Sequence, residues 1–173
     1  MDYHSNGLTS LLVRKDYKVL EIRQANESDI RDLVDLDEEC FDTYYYRKTK
    51  YSESDFHAYF RFRKPILLVA TRDSRLVGYV AGAVRMSEGF LIAHLDSIAV
   101  SSINKRQRLG SDLLQCFIEE AKEQACTMVV LEVAKANEKG LVFFLKRGFQ
   151  SIADLPQYYG RDLDGLLMER SIR

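Results

Sequence analysis

The sequence predicts an α/β fold, with about seven strands and four helices built around one core. Three observations carry that expectation. Short apolar runs of strand length recur along the chain, three of them in succession at 66–70, 76–84 and 90–100. From about Arg108 to Ala125, Leu109, Leu113, Phe117, Ala121 and Ala125 follow one another at i,i+4 steps, while Glu119, Glu120, Lys122 and Glu123 take the opposite side, the pattern of a helix packed by one face. Between these lies an apolar strand that runs through a basic loop into that helix, Ile98 to Leu114. At 173 residues and 46% hydrophobic the chain is long enough for a single domain with its own core.

Residues 1–17 carry few core signals and read as an N-terminal extension to a domain over 18–173. From Lys18 to Arg23, Leu20 and Ile22 alternate with Glu21 and Arg23, which makes a strand. Asn26 and Asp29 then open a helix whose Ile30, Leu33, Val34 and Leu36 form a buried face, and Phe41 closes it. Asp42 to Tyr51 is polar and aromatic without regular period, a loop; Ser52 starts a second helix carrying Phe56, Tyr59 and Phe60. Ile66–Ala70 and Leu76–Val84 flank Arg72-Asp73-Ser74-Arg75, whose turn chemistry predicts a hairpin, and Phe90–Val100 makes the next strand. After the 108–125 helix come a strand at 128–133, a helix that Asn137 caps and Gly148 stops, and two final strands near 149–153 and 163–171.

The loop before the 108–125 helix is the most informative stretch. The first turn of a helix leaves backbone N–H groups without intrahelical partners at the positive end of the dipole, so a pyrophosphate bound there meets groups that need an acceptor. Gly110 lets the backbone come close, and Lys105, Arg106 and Arg108 add charge around the same point. A solvated basic turn before an ordinary surface helix is the other reading of this segment alone. The net charge of −1 argues against a protein that coats nucleic acid and makes the basic loop a local site. Cys40, Cys116 and Cys126 are odd in number and lack metal-type spacing, and the N-terminus has no apolar stretch of signal-peptide length. No run approaches the roughly 18 apolar residues of a membrane span. A cytoplasmic protein, with neither membrane nor nucleic acid as partner, is the expectation; oligomeric state is not legible. No metal cluster, nucleophilic triad or nicotinamide fingerprint is present in the sequence.

Lys105-Arg106-Gln107-Arg108-Leu109-Gly110 resembles the Arg/Gln-x-x-Gly-x-Gly/Ala loop of the GNAT superfamily of acetyl-CoA-dependent N-acetyltransferases, with Lys105 at the first position and Arg108 at the first glycine. Leu131 to Phe149 is similar to that family's strand, Asn-led helix and terminal Gly-Phe, and Gln157-Tyr158-Tyr159 with Leu166 to Arg170 resembles the paired tyrosines and last strand of RimI-type protein N-terminal acetyltransferases. The resemblance implies a GNAT fold, a mixed central sheet of about seven strands with helices on both faces. It implies acetyl-CoA as cofactor, bound by Lys105, Arg106, Gln107, Arg108, Leu109, Gly110 and Ser111, by the main chain of Ile98, Ala99 and Val100, and by Asn137 and Phe144.

The same resemblance makes Glu132 the general base; an outward-facing strand residue paired across the sheet is the alternative. His94 and Asp96 are reserve candidates, with a structural histidine as the plainer reading of the first. Phe144 stands where RimI-type enzymes keep a tyrosine that protonates the leaving thiolate, and it cannot donate a proton, so Tyr158, Tyr159 or the proton released by the amine would substitute, Tyr159 being the candidate catalytic group. Phe41, Tyr44, Tyr45, Tyr158 and Tyr159 would line the acceptor groove, or pack helices and face solvent. Lys146 and Arg147 need no role beyond the helix dipole. A terminal α-amine titrates near ~8 and a lysine near ~10.4, so at pH 7.5 roughly a quarter of the former and about one part in a thousand of the latter is neutral. One carboxylate base therefore suits an α-amine, and the expected reaction is acetylation of a peptide or protein N-terminus, a ribosomal protein among the candidates. A lysine side chain or small amine as acceptor, and an acyl-CoA-binding sensor with little catalysis, are the alternatives.

Overall fold

The computed structural model describes residues 11–15, 18–41, 50–87, 89–105, 107–160 and 162–173. Eight strands form one sheet: β1 (Leu11–Lys15), β2 (Lys18–Gln24), β3 (Pro65–Arg72), β4 (Arg75–Ser87), β5 (Phe90–Val100), β6 (Met128–Ala134), β7 (Gln150–Leu155) and β8 (Gly165–Ser171), in the spatial order β1-β2-β3-β4-β5-β6-β8-β7. The seven expected strands are all there. The eighth is β1, which pairs antiparallel with β2 at the sheet edge, so residues 11–15 of the expected extension belong to the sheet. Every pairing is antiparallel except β5 with β6.

Four helices cover the two faces: α1 (Ile30–Cys40), α2 (Glu53–Tyr59), α3 (Leu109–Glu123) and α4 (Glu138–Leu145). Leu113, Phe117 and Ala121 of α3 are fully buried against Val80, Leu95 and Val129 of the sheet. On the other face Leu33 of α1 and Phe56 of α2 close over Val69, Tyr79 and Ala81. Each buried leucine or phenylalanine contributes roughly 1.5–3 kcal/mol, so the α3 stripe alone fixes which way that helix faces. Local chemistry sets the ends. Asn26 and Ser52 form capping boxes with Asp29 and Asp55, and Asn137 Oδ1 accepts from the Gly140 amide at 3.0 Å. Gly148 leaves α4 with φ +82°, and the Phe149 and Gly148 amides return to the carbonyls of Phe144 and Leu145.

Two features of β4 and β5 place the site. Ala81 pairs with Ser97 while Gly82 pairs with Leu95, so Asp96 is the extra residue of a β-bulge. A Cβ on Gly82 would lie 2.1 Å from the His94 carbonyl oxygen and 2.8 Å from the Phe117 ring, so only glycine lets the sheet and α3 meet there. Second, β5 and β6 pair only over Ile92–His94 against Met128–Val130; beyond His94 they part, and β6 pairs along its length with β8 instead. Among the described residues no helix is long and apolar enough to cross a membrane.

Candidate active site

The gap between β5 and β6 opens into a cleft of about 1040 Å³, the size of a site for a large small-molecule ligand. Its lining includes Phe41, Tyr51, His94, Asp96 and Glu132 and, at the end built by the turn into α3, Lys105, the Arg108–Asp112 segment and Arg147.

In the turn into α3, Arg108 has φ +67°, the left-handed conformation glycine adopts without strain, which a side chain adopts at a cost of about 1–2 kcal/mol. The substitution that sets this loop apart from a Gly-x-Gly pattern is therefore accommodated in the glycine's own geometry. Gly110 lines the cleft, and an added Cβ would come 3.4 Å from the Phe143 ring, an ordinary contact. Protein packing does not demand a glycine there. Lys105, Arg108, Lys146 and Arg147 line this end beside the positive end of the α3 dipole, a field suited to phosphates.

The centre is a chain of charged hydrogen bonds across four elements. His94 Nδ1 lies 2.5 Å from Asp96 Oδ1, and His94 Nε2 lies 3.0 Å from each carboxylate oxygen of Glu132. Asp96 also accepts from the Tyr59 hydroxyl at 2.9 Å and from Arg85 Nη2 at 3.3 Å. Burial by itself would lower the His94 pKa, yet the hydrogen bonds and charges of Asp96 and Glu132 outweigh it and push His94 up to about 9. At neutral pH His94 is an imidazolium held between two carboxylates. Burial, the charge of Glu132 and a hydrogen bond to it raise the Tyr158 hydroxyl above its ordinary 10. Burial and the Asp96 charge hold Tyr59 protonated. Outside this chain of hydrogen bonds a fully buried carboxylate, Asp37 of α1, accepts from the Tyr79 hydroxyl and from the Tyr51 amide, and so pins the entry to α2 beside the cleft.

The structure brings most of the sequence-predicted residues to this cleft. Ile98, Val100, Lys105, Arg108, Leu109, Gly110, Ser111 and Asn137 line it, with Glu132, Phe41, Tyr158 and Tyr159. Phe144 lines it too while remaining 7% exposed, edge-on to Phe143 and Phe149. The expectation for Ala99 concerned its main chain; its side chain packs into the core under α1 and α2 on the other face, because side chains alternate along β5. Gln107 is not at the cleft: its Oε1 accepts from Arg72 at 2.7 Å and its Nε2 donates to the Ile103 carbonyl. Arg106, Tyr44 and Tyr45 lie outside the described residues. Glu132 pairs across the sheet as its plainer reading expected, with His94 as the partner rather than a lysine or arginine. Sequence reasoning missed Tyr51, Tyr59 and Arg147. Only the short spacing of Tyr59 from the Ser52 cap, which puts it on one face of α2 with Phe56, offered a signal. Among the described residues no group of histidine, cysteine and carboxylate side chains is arranged to hold a metal ion.

The comparisons with known proteins agree with this geometry. The chain is 28% identical over 148 residues to an uncharacterized N-acetyltransferase of Methanocaldococcus jannaschii, covering 85% of this chain and 88% of that one. It is 29% identical over 121 residues to the L-methionine sulfoximine/L-methionine sulfone acetyltransferase of Pseudomonas paraeruginosa, covering 68% and 70%. Among solved structures, the ribosomal-protein-alanine N-acetyltransferase of Brucella melitensis superposes with a TM-score of 0.73 at 28% identity, over 87% of this chain and 98% of that one. The family model for the acetyltransferase (GNAT) family matches residues 30–149, from the start of α1 to the end of the Gly-Phe turn, and with the splayed strands and the basic helix start it places the chain in that family of acetyl-CoA-dependent N-acetyltransferases.

Proposed function

We propose that the enzyme acetylates the α-amine of a peptide or protein N-terminus. The observation that carries the reading is the Asp96–His94–Glu132 chain in a cleft that Phe41, Tyr51, Tyr158 and Tyr159 also line. An open, aromatic-walled groove over carboxylates suits an extended chain that ends in an amine. The likeness to the ribosomal-protein-alanine N-acetyltransferase supports the same acceptor class. The free thiols of Cys40, Cys116 and Cys126 fit a reducing compartment such as the cytoplasm.

The residues present fit acetyl-CoA. Four cations and the bare glycine of the α3 turn line one end of the cleft and would hold the cofactor's phosphates, and Ile98 and Val100 line the open edge of β5 along which the pantetheine arm would lie. When bound, the cofactor supplies an acyl carbon activated as a thioester. Glu132 takes the proton from the acceptor nitrogen, directly or through water. His94 in its charged form donates Nε2–H to Glu132 and so holds the carboxylate in place, while Asp96, at the bulge, fixes Nδ1 and therefore the ring. The Tyr158 and Tyr159 hydroxyls put proton donors in a cleft where Phe144 offers none.

A specific observation favours a second reading. Arg85, 54% exposed, reaches Asp96 from β4 and leaves most of its donors to solvent. That guanidinium suits the carboxylate of a free amino acid, as the likeness to the L-methionine sulfoximine/L-methionine sulfone acetyltransferase would suggest. Release of CoA thiol over short peptides with different first residues, N-blocked peptides containing lysine, polyamines and free amino acids distinguishes them. Turnover confined to free peptide N-termini supports the proposal; turnover on free amino acids alone moves the function to the second reading. Glu132→Gln should lower kcat by about 10² to 10⁴ and leave CoA affinity unchanged.

A further inference from the structure

We propose that Arg147 is a positioning residue for the phosphates of the cofactor, acting through the Ser111 hydroxyl; the proposal rests on the reading that the α3 turn holds those phosphates. The Gly148 turn that ends α4 delivers Arg147 over the Phe143 ring, with Cζ 3.7 Å from the ring centroid. From there Nη1 donates to the Phe143 carbonyl at 2.7 Å and Nη2 donates to Ser111 Oγ in the first turn of α3, 36 residues away in sequence. Nε is buried without a hydrogen-bond partner, and burial lowers the pKa of the guanidinium without discharging it.

The C-terminal end of α4 and the Phe143 carbonyl favour a cation at Arg147, but its guanidinium also meets the positive end of the α3 dipole, where Lys105, Arg108 and Lys146 line the same end of the cleft, with Asp112 as the acid among them. Like charges converging on a helix N-terminus destabilise the empty protein and are offset when an anion arrives between them. The hydrogen-bond inventory gives the direction. A guanidinium has no acceptor, so Ser111 Oγ must accept from Arg147, and its own O–H is left to donate. Ser111 lines the cleft, so that O–H is available to a phosphate bound there. Arg147 thus does two things beyond a contact with the dipole of its own helix: it orients a neutral donor, and it adds charge that the Phe143 face shields from water.

Calorimetric affinities for CoA, dephospho-CoA and phosphate-free pantetheine test this on the wild type, Arg147→Gln, Arg147→Lys, Ser111→Ala and the Ser111→Ala/Arg147→Gln double variant. The expected result is a loss of about 10- to 100-fold in CoA affinity for Arg147→Gln and for Ser111→Ala, with pantetheine unchanged, partial recovery in Arg147→Lys, and a double variant no weaker than the weaker single one. Equal losses for CoA and dephospho-CoA assign the contact to the diphosphate; a loss seen with CoA alone assigns it to the 3′-phosphate, and either supports the proposal. A fall in pantetheine affinity as large as that for CoA would show that Arg147 only packs the cleft, and additive losses in the double variant would remove Ser111 from the route. If the wild type itself binds CoA no better than pantetheine, the phosphate-end reading fails before Arg147 is in question.

Discussion

Replacing Asp96 with asparagine removes the shortest of the contacts that keep His94 charged, and its consequences can be worked from the structure. His94 is raised from 6.5 to about 9 against the opposing effect of burial, by hydrogen bonds to Asp96 and then Glu132 and by their charges. At about 1.4 kcal/mol per pH unit that rise corresponds to about 3 kcal/mol of folding free energy. Because the folded-state pKa lies above the unfolded one, the contribution is complete below pH 6.5 and is lost as the pH climbs through about 9. The other groups around the ring are Tyr59 from α2, Arg85 from β4 and Tyr158 from the β7–β8 connection, and all three remain in the variant. Urea unfolding of wild type, Asp96→Asn and His94→Gln at pH 6.5 and pH 10 gives the stabilities, and an NMR titration of the three histidines, His4, His57 and His94, gives the pKa directly. We expect the advantage of wild type over His94→Gln to shrink by about 3 kcal/mol between those pH values and the His94 midpoint to fall by at least one pH unit in Asp96→Asn. A wild-type His94 that titrates near 6.5, or a wild-type advantage that is constant across the range, would refute the argument.

Three further outcomes follow from single contacts. Gly82→Ala should destabilise by about 3 kcal/mol or more, read as a drop in Tm, since the new Cβ meets the His94 main-chain oxygen at 2.1 Å and main chain cannot rotate away. Arg108→Gly should act in opposite directions on two assays: denaturant unfolding gains about 1 kcal/mol from relief of the left-handed strain, while calorimetry shows weaker CoA binding from the lost charge. Asn137→Ala should cost about 1 kcal/mol of stability through the lost cap on the Gly140 amide, measured by thermal unfolding.

What was legible in the sequence is what neighbours along the chain decide. Asn26, Ser52, Asn137 and Gly148 bound their helices through bonds that span a few residues, and the α3 stripe shows its buried face through a period of 3.6. Element order followed from these, and the basic charge at the start of α3 was visible directly in the loop. Residues 11–15 had no such local signal; pairing with β2 makes them a strand.

The Asp96–His94–Glu132 cluster belongs to the other class. His94 and Glu132 stand 38 residues apart and meet because β5 and β6 pair briefly before they part; Asp96 turns onto His94 because the bulge opposite Ala81 and Gly82 adds one residue to the strand. Alternation alone could not say whether Glu132 faced a partner or a ligand, since a single residue of register reverses every side chain downstream. The Gln107 side chain is held away from the cleft lining for the same reason, a loop contact with Arg72 that depends on what packs beside it. The sequence by itself determined the elements, their caps and the charge of the basic loop, all set by short-range bonds and periodicity. Tertiary structure alone decided which charges meet, because ion pairs between distant strands depend on register and splay, and those are settled only when the whole sheet closes over its two cores.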